Sequence, residues 1–209
     1  MIAQRPLTHD LVLVGGGHTH ALVLRKWGMD RLGGVRLTLI NPDATAPYTG
    51  MLPGHVAGHY RREALDMDLV HLARFAGARL IIDRAVGIDR EAQLVRLGRR
   101  PPVRYDVLSI DIGITAALPD IPGFKAHAHS VKPLGPFATA WDAFVTRAKR
   151  GETDASCAII GAGVAGVETA LAMAHRLQAD GISSARLTLI EAGEQILGSL
   201  GDGASRHLE

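Results

Sequence analysis

One short design occurs twice in this chain, and that duplication constrains the fold more than any other feature. LVLVGGGHTHALVL at Leu11–Leu24 runs an apolar stretch into glycines and then into a second apolar stretch, and VRLTLINPDA follows at Val35–Ala44. CAIIGAGVAGVETALAMAHRL, starting at Cys157, repeats the arrangement, and ARLTLIEAGE follows it at Ala185–Glu194. Each copy reads as strand, glycine turn, helix and strand. Two copies at so long a separation mean two related units, not a solenoid.

In the first copy, Asp10–Val14 is a continuous apolar run suited to a strand buried on both faces of a parallel sheet. His20–Trp27 has helical character, Gly33 and Gly34 break it, and Arg36–Ile40 is the next strand. Asn41–Tyr60 is rich in proline and glycine and reads as loop. Helical periodicity returns over Ala64–Ala76. Arg79–Asp83 is a strand, Ala85–Arg96 a pair of short strands turning near Arg90, and Tyr105–Ile112 a buried strand with Gly113 at its end. Strands separated by helices predict an α/β, doubly wound sheet. Proline-rich Leu118–Pro136 is a crossing between domains, Phe137–Arg150 is a helix, and the second unit starts at Ala155. The domain limits so expected are 1–117, 118–152 and 153–209.

The second glycine turn is complete. Gly161, Gly163 and Gly166 form GxGxxG between a strand and a helix, the context that gives the motif its meaning. The first glycine permits the tight turn, the second admits a pyrophosphate to the backbone, and the third allows close helix–strand packing. Phosphates are then held by the free N–H groups at the helix start, around Val164 and Ala165. Glu191 ends the following strand, where a carboxylate accepts from both ribose hydroxyls and repels a 2′-phosphate, which favours NADH over NADPH. A tight turn without a ligand is the plainer alternative.

The first turn departs from the pattern. Gly15 and Gly17 hold the first two places, but His20 stands at the third, so the helix must sit further from the strand or the imidazole must turn aside. The acidic position carries Asn41, which bonds a ribose hydroxyl without charge. By itself this turn supports a nucleotide site and a purely structural turn equally.

Composition excludes several classes. Net charge is +2 with Lys and Arg scattered, so no basic stripe marks a nucleic-acid partner. No apolar run reaches the roughly 20 residues of a membrane span, and MIAQRPLTHD lacks a secretory pattern, so a cytoplasmic protein is expected. Cys157 is the single cysteine, which excludes a dithiol redox pair within these residues.

Both units, in this order, resemble the two-dinucleotide-binding-domain flavoproteins of the pyridine nucleotide-disulfide oxidoreductase superfamily. The resemblance implies a Rossmann-like FAD-binding domain followed by the start of a second Rossmann-like, NAD(P)-binding domain. It extends to APYTGMLPG at Ala46–Gly54, similar to the loop beside the flavin in type II NADH dehydrogenases and sulfide:quinone oxidoreductases. There it implies cofactor contacts for Tyr48, Met51 and Pro53, an ordinary loop being the alternative. YDVL followed by Asp111-Ile112-Gly113 resembles the family's YDxL…ATG segment, with DIG in place of ATG. Val86 and Gly113 are implied on the FAD side together with His18 and Thr19. Glu168 matches a glutamate just past GxGxxG, facing the nicotinamide or simply favouring the helix dipole.

GGGHTH, LRKWGM, PYTGMLPGHVAGHY and RPPVRYDVLSIDIG look like the flavoprotein module found alone or fused ahead of selenide, water dikinase, in which the HTH turn is usual. The implied activity is an FAD-dependent NAD(P)H oxidoreductase. It would pass hydride from nicotinamide to flavin and on to a small-molecule, non-dithiol acceptor, a quinone or a sulfur or selenium species. The other reading is a nucleotide-binding sensor or scaffold partnering selenide, water dikinase without turnover. A homodimer is left open. The family continues beyond the second unit, so a fragment of a longer protein is expected, with no catalytic residue named and no metal site: His18 with His20, and His127 with His129, lack further ligands nearby.

Overall fold

His9–Val14 forms β1, an apolar run that enters the first glycine turn, and His18–Met29 (α1) leaves it. β2 (Val35–Asn41) returns parallel to β1, in register from His9 opposite Val35 to Val14 opposite Ile40. There follow β3 (Thr45–Pro47), α2 (Leu52–Val56), β4 (Asp66–Asp68), α3 (Leu69–Ala76), β5 (Arg79–Ile82), β6 (Ala85–Asp89), β7 (Leu94–Leu97), β8 (Val103–Arg104) and β9 (Val107–Ile110). The chain continues through α4 (Phe124–His127), α5 (Leu134–Lys149), β10 (Ser156–Ile160), α6 (Val164–Ala179) and β11 (Arg186–Ile190). A computed structural model describes residues 6–114, 120–200 and 203. It divides into two units: Met1–Tyr48 with Asp66–Thr115, and Thr49–Leu65 with Ala116–Glu209. The limit expected at 117/118 lies outside the described residues.

Unit 1 has a parallel sheet in the order β5-β2-β1-β9. That is the half-order of a dinucleotide-binding fold, with the first strand central and the chain reversing direction beside it. Because β1 is inner, alternate residues enter different cores. Leu13 joins Leu24, Leu39 and Leu69 under α1 and α3, while Val12 and Val14 join Ile40, Ile81 and Val95 under the antiparallel sheet β6-β7-β8. The strand buried on both faces is therefore present. The helix expected over Ala64–Ala76 is shorter. Arg62–Leu65 is a 3₁₀ turn, Asp66–Asp68 pairs with β3, and Asp68 then caps α3 by accepting from His71 N at 2.8 Å. An Asp side chain competes for backbone donors in this way and favours a cap over a helix interior.

Unit 2 pairs β10 with β11 in parallel and covers one face with α6. Cys157, Ile159 and Leu187 point into a core with Leu177, Met173 and Trp141; Ser156, Ala158, Ile160 and Ile190 are exposed on the other face. α5 begins at Leu134, earlier than the expected Phe137, because Pro136 falls in the first turn, where no N–H is needed. Leu52 and Val56, from the stretch read from sequence as loop, join this core, as does Leu65. Trp141 Nε1–H donates to the Val56 carbonyl at 2.9 Å, fixing α2 on α5. Among the described residues no helix is long and apolar enough to cross a membrane.

Candidate dinucleotide-binding turns

Both glycine turns are built alike. Gly15 and Gly161 follow their strands at φ +91° and +98°, a left-handed conformation that costs glycine little and other residues more. Each N–H donates to the carbonyl ending the neighbouring strand: Gly15 to Ile40 and Gly161 to Ile190, both at 2.8 Å. The next N–H in each turn is taken by the side chain at the end of that second strand. Gly16 N donates to Asn41 Oδ1 at 2.8 Å, and Ala162 N to Glu191 Oε2 at 2.6 Å. Asn41 and Glu191 are thus structural equivalents, one neutral and one charged.

Asn41 is buried and fully engaged, since its Nδ2 donates to the carbonyls of Asp43 and Thr45 at 2.8 and 3.3 Å. It braces the turn. Glu191 is exposed and also accepts from Ala192 N and Gly193 N at 2.8 and 3.1 Å. The N–H groups of Ala162, Gly193 and Ala192 hold its carboxyl below the usual range.

The third position separates the units. A Cβ on Gly166 would overlap the Gly161 carbonyl oxygen, so helix and strand touch through backbone. In unit 1 the equivalent carbonyl, Gly15 O, is met by the imidazole of His20: Nδ1 lies 2.7 Å away and Nε2 lies 2.8 Å from Ser109 Oγ on β9. At 1% exposure the ring is inside the unit. A hydrogen bond from the ring to the turn carbonyl stands where unit 2 has backbone contact. His18 goes the other way and stacks on Tyr48, ring centroids 4.9 Å apart. The two histidines do not converge, and among the described residues no group of three His, Cys, Asp or Glu is arranged to hold a metal.

The helix starts differ as well. At α6 no side chain caps the N-terminus, and around Gly163 there is nothing within 4 Å of where a Cβ would stand. Val164, Ala165 and Glu168 are exposed there. At α1 the carboxylate of Asp111, just past β9, accepts from Thr19 N at 2.9 Å and His20 N at 3.2 Å and lies over Gly17. Gly113 follows at φ +73° and exposed. Val86 is exposed on β6 in unit 1, whereas Met51 and Pro53 lie in unit 2, Met51 packed against its core.

Unit 1 thus brings together Gly15, Gly17, His18, Thr19, His20, Asn41 and Tyr48, and unit 2 brings together Gly161, Gly163, Val164, Ala165, Gly166 and Glu191. Sequence reasoning passed over Asp111 and Ser109 as site residues. The signal was positional: both lie at the end of the strand beside β1, next to the switch point where such folds bind ligands.

The groups fit the residues in different ways. Around Gly163, among the described residues, the backbone is open and no side chain caps α6, an arrangement that fits a pyrophosphate. At Gly17 the carboxylate of Asp111 already accepts from the helix N–H groups.

Among solved structures, the sulfide:quinone oxidoreductase of Aquifex aeolicus is similar at 21% identity and TM-score 0.76, covering 96% of this chain and 48% of that one. NDH2 of Plasmodium falciparum, solved with NADH, gives 16%, 0.79, 95% and 44%. An NAD-dependent persulfide reductase of A. fulgidus gives 21%, 0.73, 95% and 38%. The chain spans about half the length of these proteins or less. No curated protein sequence matches it. The family model described as pyridine nucleotide-disulphide oxidoreductase matches residues 9–209, and with the doubled turn that it covers, the chain belongs to that family.

Proposed function

We propose that unit 1 binds FAD and unit 2 binds NADH, as parts of an FAD-dependent NADH oxidoreductase. The observation that carries this reading is the equivalence of the two turns, down to Asn41 and Glu191 taking the same backbone N–H. When bound, nicotinamide and flavin would supply the redox chemistry, as hydride donor and hydride acceptor, with a second acceptor taking the electrons. The chain's own residues bind and orient. Gly163 admits the pyrophosphate, and the first N–H groups of α6 hold it. Glu191, a carboxylate through the neutral range, accepts ribose hydroxyls on its open side and repels a 2′-phosphate, supporting NADH over NADPH. In unit 1 the stacked His18 and Tyr48 flank the turn, and Asn41 and His20 hold its backbone.

Cys157, the single cysteine, is half-buried and burial pushes its thiol up, so the chain offers no dithiol and no reactive thiolate. That supports a small acceptor such as a quinone or a sulfur or selenium species. The GGGHTH and PYTGMLPGHVAGHY motifs support a link to selenide, water dikinase. Anaerobic addition of NADH to the flavin-loaded protein tests the reading: flavin absorbance is expected to bleach. Tight binding of both nucleotides without bleaching would favour the sensor or scaffold instead.

A further inference from the structure

We infer that Asp111 is a built-in occupant of the phosphate position of unit 1, so that a dinucleotide binds there only by displacing its carboxylate. This rests on the reading of unit 1 as a dinucleotide site. Two separate observations carry it. The carboxylate takes the Thr19 and His20 N–H groups, the donors a pyrophosphate would use at the start of α1. It also fills the space over Gly17, where a Cβ would stand closer than contact distance to both carboxylate oxygens. The missing side chain of the second glycine is what admits a pyrophosphate; here that room is used from within.

In unit 2, among the described residues, nothing stands within 4 Å of where a Cβ on Gly163 would lie. Its described sheet is β10 and β11 alone, with no counterpart of β9 to carry a carboxylate to that position. Asp111 is only half-buried, so its side chain can rotate into water without crossing the core. Until it does, an incoming diphosphate meets like charge at close range. Affinity falls by the fraction of molecules in which the position is clear.

Removing the charge should therefore strengthen binding of ligands that carry a diphosphate and of no others. FAD, ADP and adenosine are titrated into wild-type protein, Asp111→Asn and Asp111→Ala, with saturating NAD⁺ present to fill unit 2. Far-UV circular dichroism checks that each variant is folded, and the isosteric Asn variant keeps the test valid if Ala does not fold. FAD and ADP should bind both variants at least about tenfold more tightly than wild type, the worth of one charge-assisted hydrogen bond. Adenosine should be unaffected. Equal or weaker binding of FAD and ADP to both variants overturns displacement and leaves the dinucleotide reading standing. Failure of all three proteins to bind FAD or ADP overturns that reading as well.

Discussion

His20→Ala tests whether the imidazole at the third glycine position belongs to the framework or to the ligand. The ring is 1% exposed, with one nitrogen on Gly15 O and the other on Ser109 Oγ. Truncation leaves a cavity of roughly 60 Å³, worth about 1.4 kcal/mol at the usual cost per unit volume. The buried Gly15 carbonyl loses its partner, a further 1–3 kcal/mol or so. Ser109 is half-buried and its hydroxyl turns to water at little cost. Alanine returns up to about 0.6 kcal/mol of helix propensity in α1. The net loss is about 3 kcal/mol of unfolding free energy, measured by urea titration followed by circular dichroism. Ser109→Ala should cost less, and the pair together less than their sum, with a coupling of about 1 kcal/mol. A carbonyl only accepts, so Nδ1 carries the proton toward Gly15 and Nε2 accepts from Ser109. Imidazole ¹⁵N shifts read that tautomer directly. A loss below about 1 kcal/mol, or a proton on Nε2 alone, would refute the argument.

Three further outcomes are expected in unit 2, the first two of which separate packing from binding. Gly166→Ala forces α6 away from the backbone of Gly161 and should cost about 1–3 kcal/mol in urea unfolding, with NADH affinity lost as the helix start moves. Gly163→Ala meets no neighbour and should change stability by no more than about 1 kcal/mol, yet weaken NADH binding at least about tenfold by obstructing the pyrophosphate. Glu191→Gln should flatten the acid limb of stability. The wild-type carboxyl is held below its ordinary 4.5 by backbone N–H groups, so its contribution is complete above that pH and is lost as pH falls through the lower, folded-state value. Urea midpoints measured from neutral pH down through 4.5 should therefore fall more steeply for wild type than for the variant.

The strands and turns were legible because their signals are local. An apolar run entering glycine and leaving as a helix specifies its own geometry, and both β1–α1 and β10–α6 form where the sequence places them. The short helix α2 within Asn41–Tyr60 was not legible. Its prolines and glycines read as loop, yet Leu52 and Val56 are spaced for one face of a short helix, and burial against α5 and α6 decides the outcome. Asp68 likewise overrides the helical periodicity around it by capping. Asp111 and Ser109 carry no local signal at all. Their partners are the backbone of α1 and the ring of His20, distant in sequence, and only the pairing of β9 with β1 brings them there.

The two turns also explain each other's odd residues. In both units the side chain following the second strand's apolar run takes the N–H after the first glycine. Where that side chain is Glu191, negative charge lies at the ribose end of the turn and the phosphate end is open. Where it is the neutral Asn41, the carboxylate lies instead at the phosphate end, on Asp111. Among the described residues each unit thus carries one carboxylate beside its turn, at opposite ends. On the proposed reading the consequences differ in kind: Glu191 discriminates among nucleotides by what the ribose bears, whereas Asp111 competes with the shared diphosphate and discriminates among none. Unit 2 is then selective, and unit 1 is unselective toward the diphosphate and held shut until a ligand with enough further contact displaces the carboxylate. FAD, whose flavin adds surface that ADP lacks, meets that requirement better than a bare adenine nucleotide does.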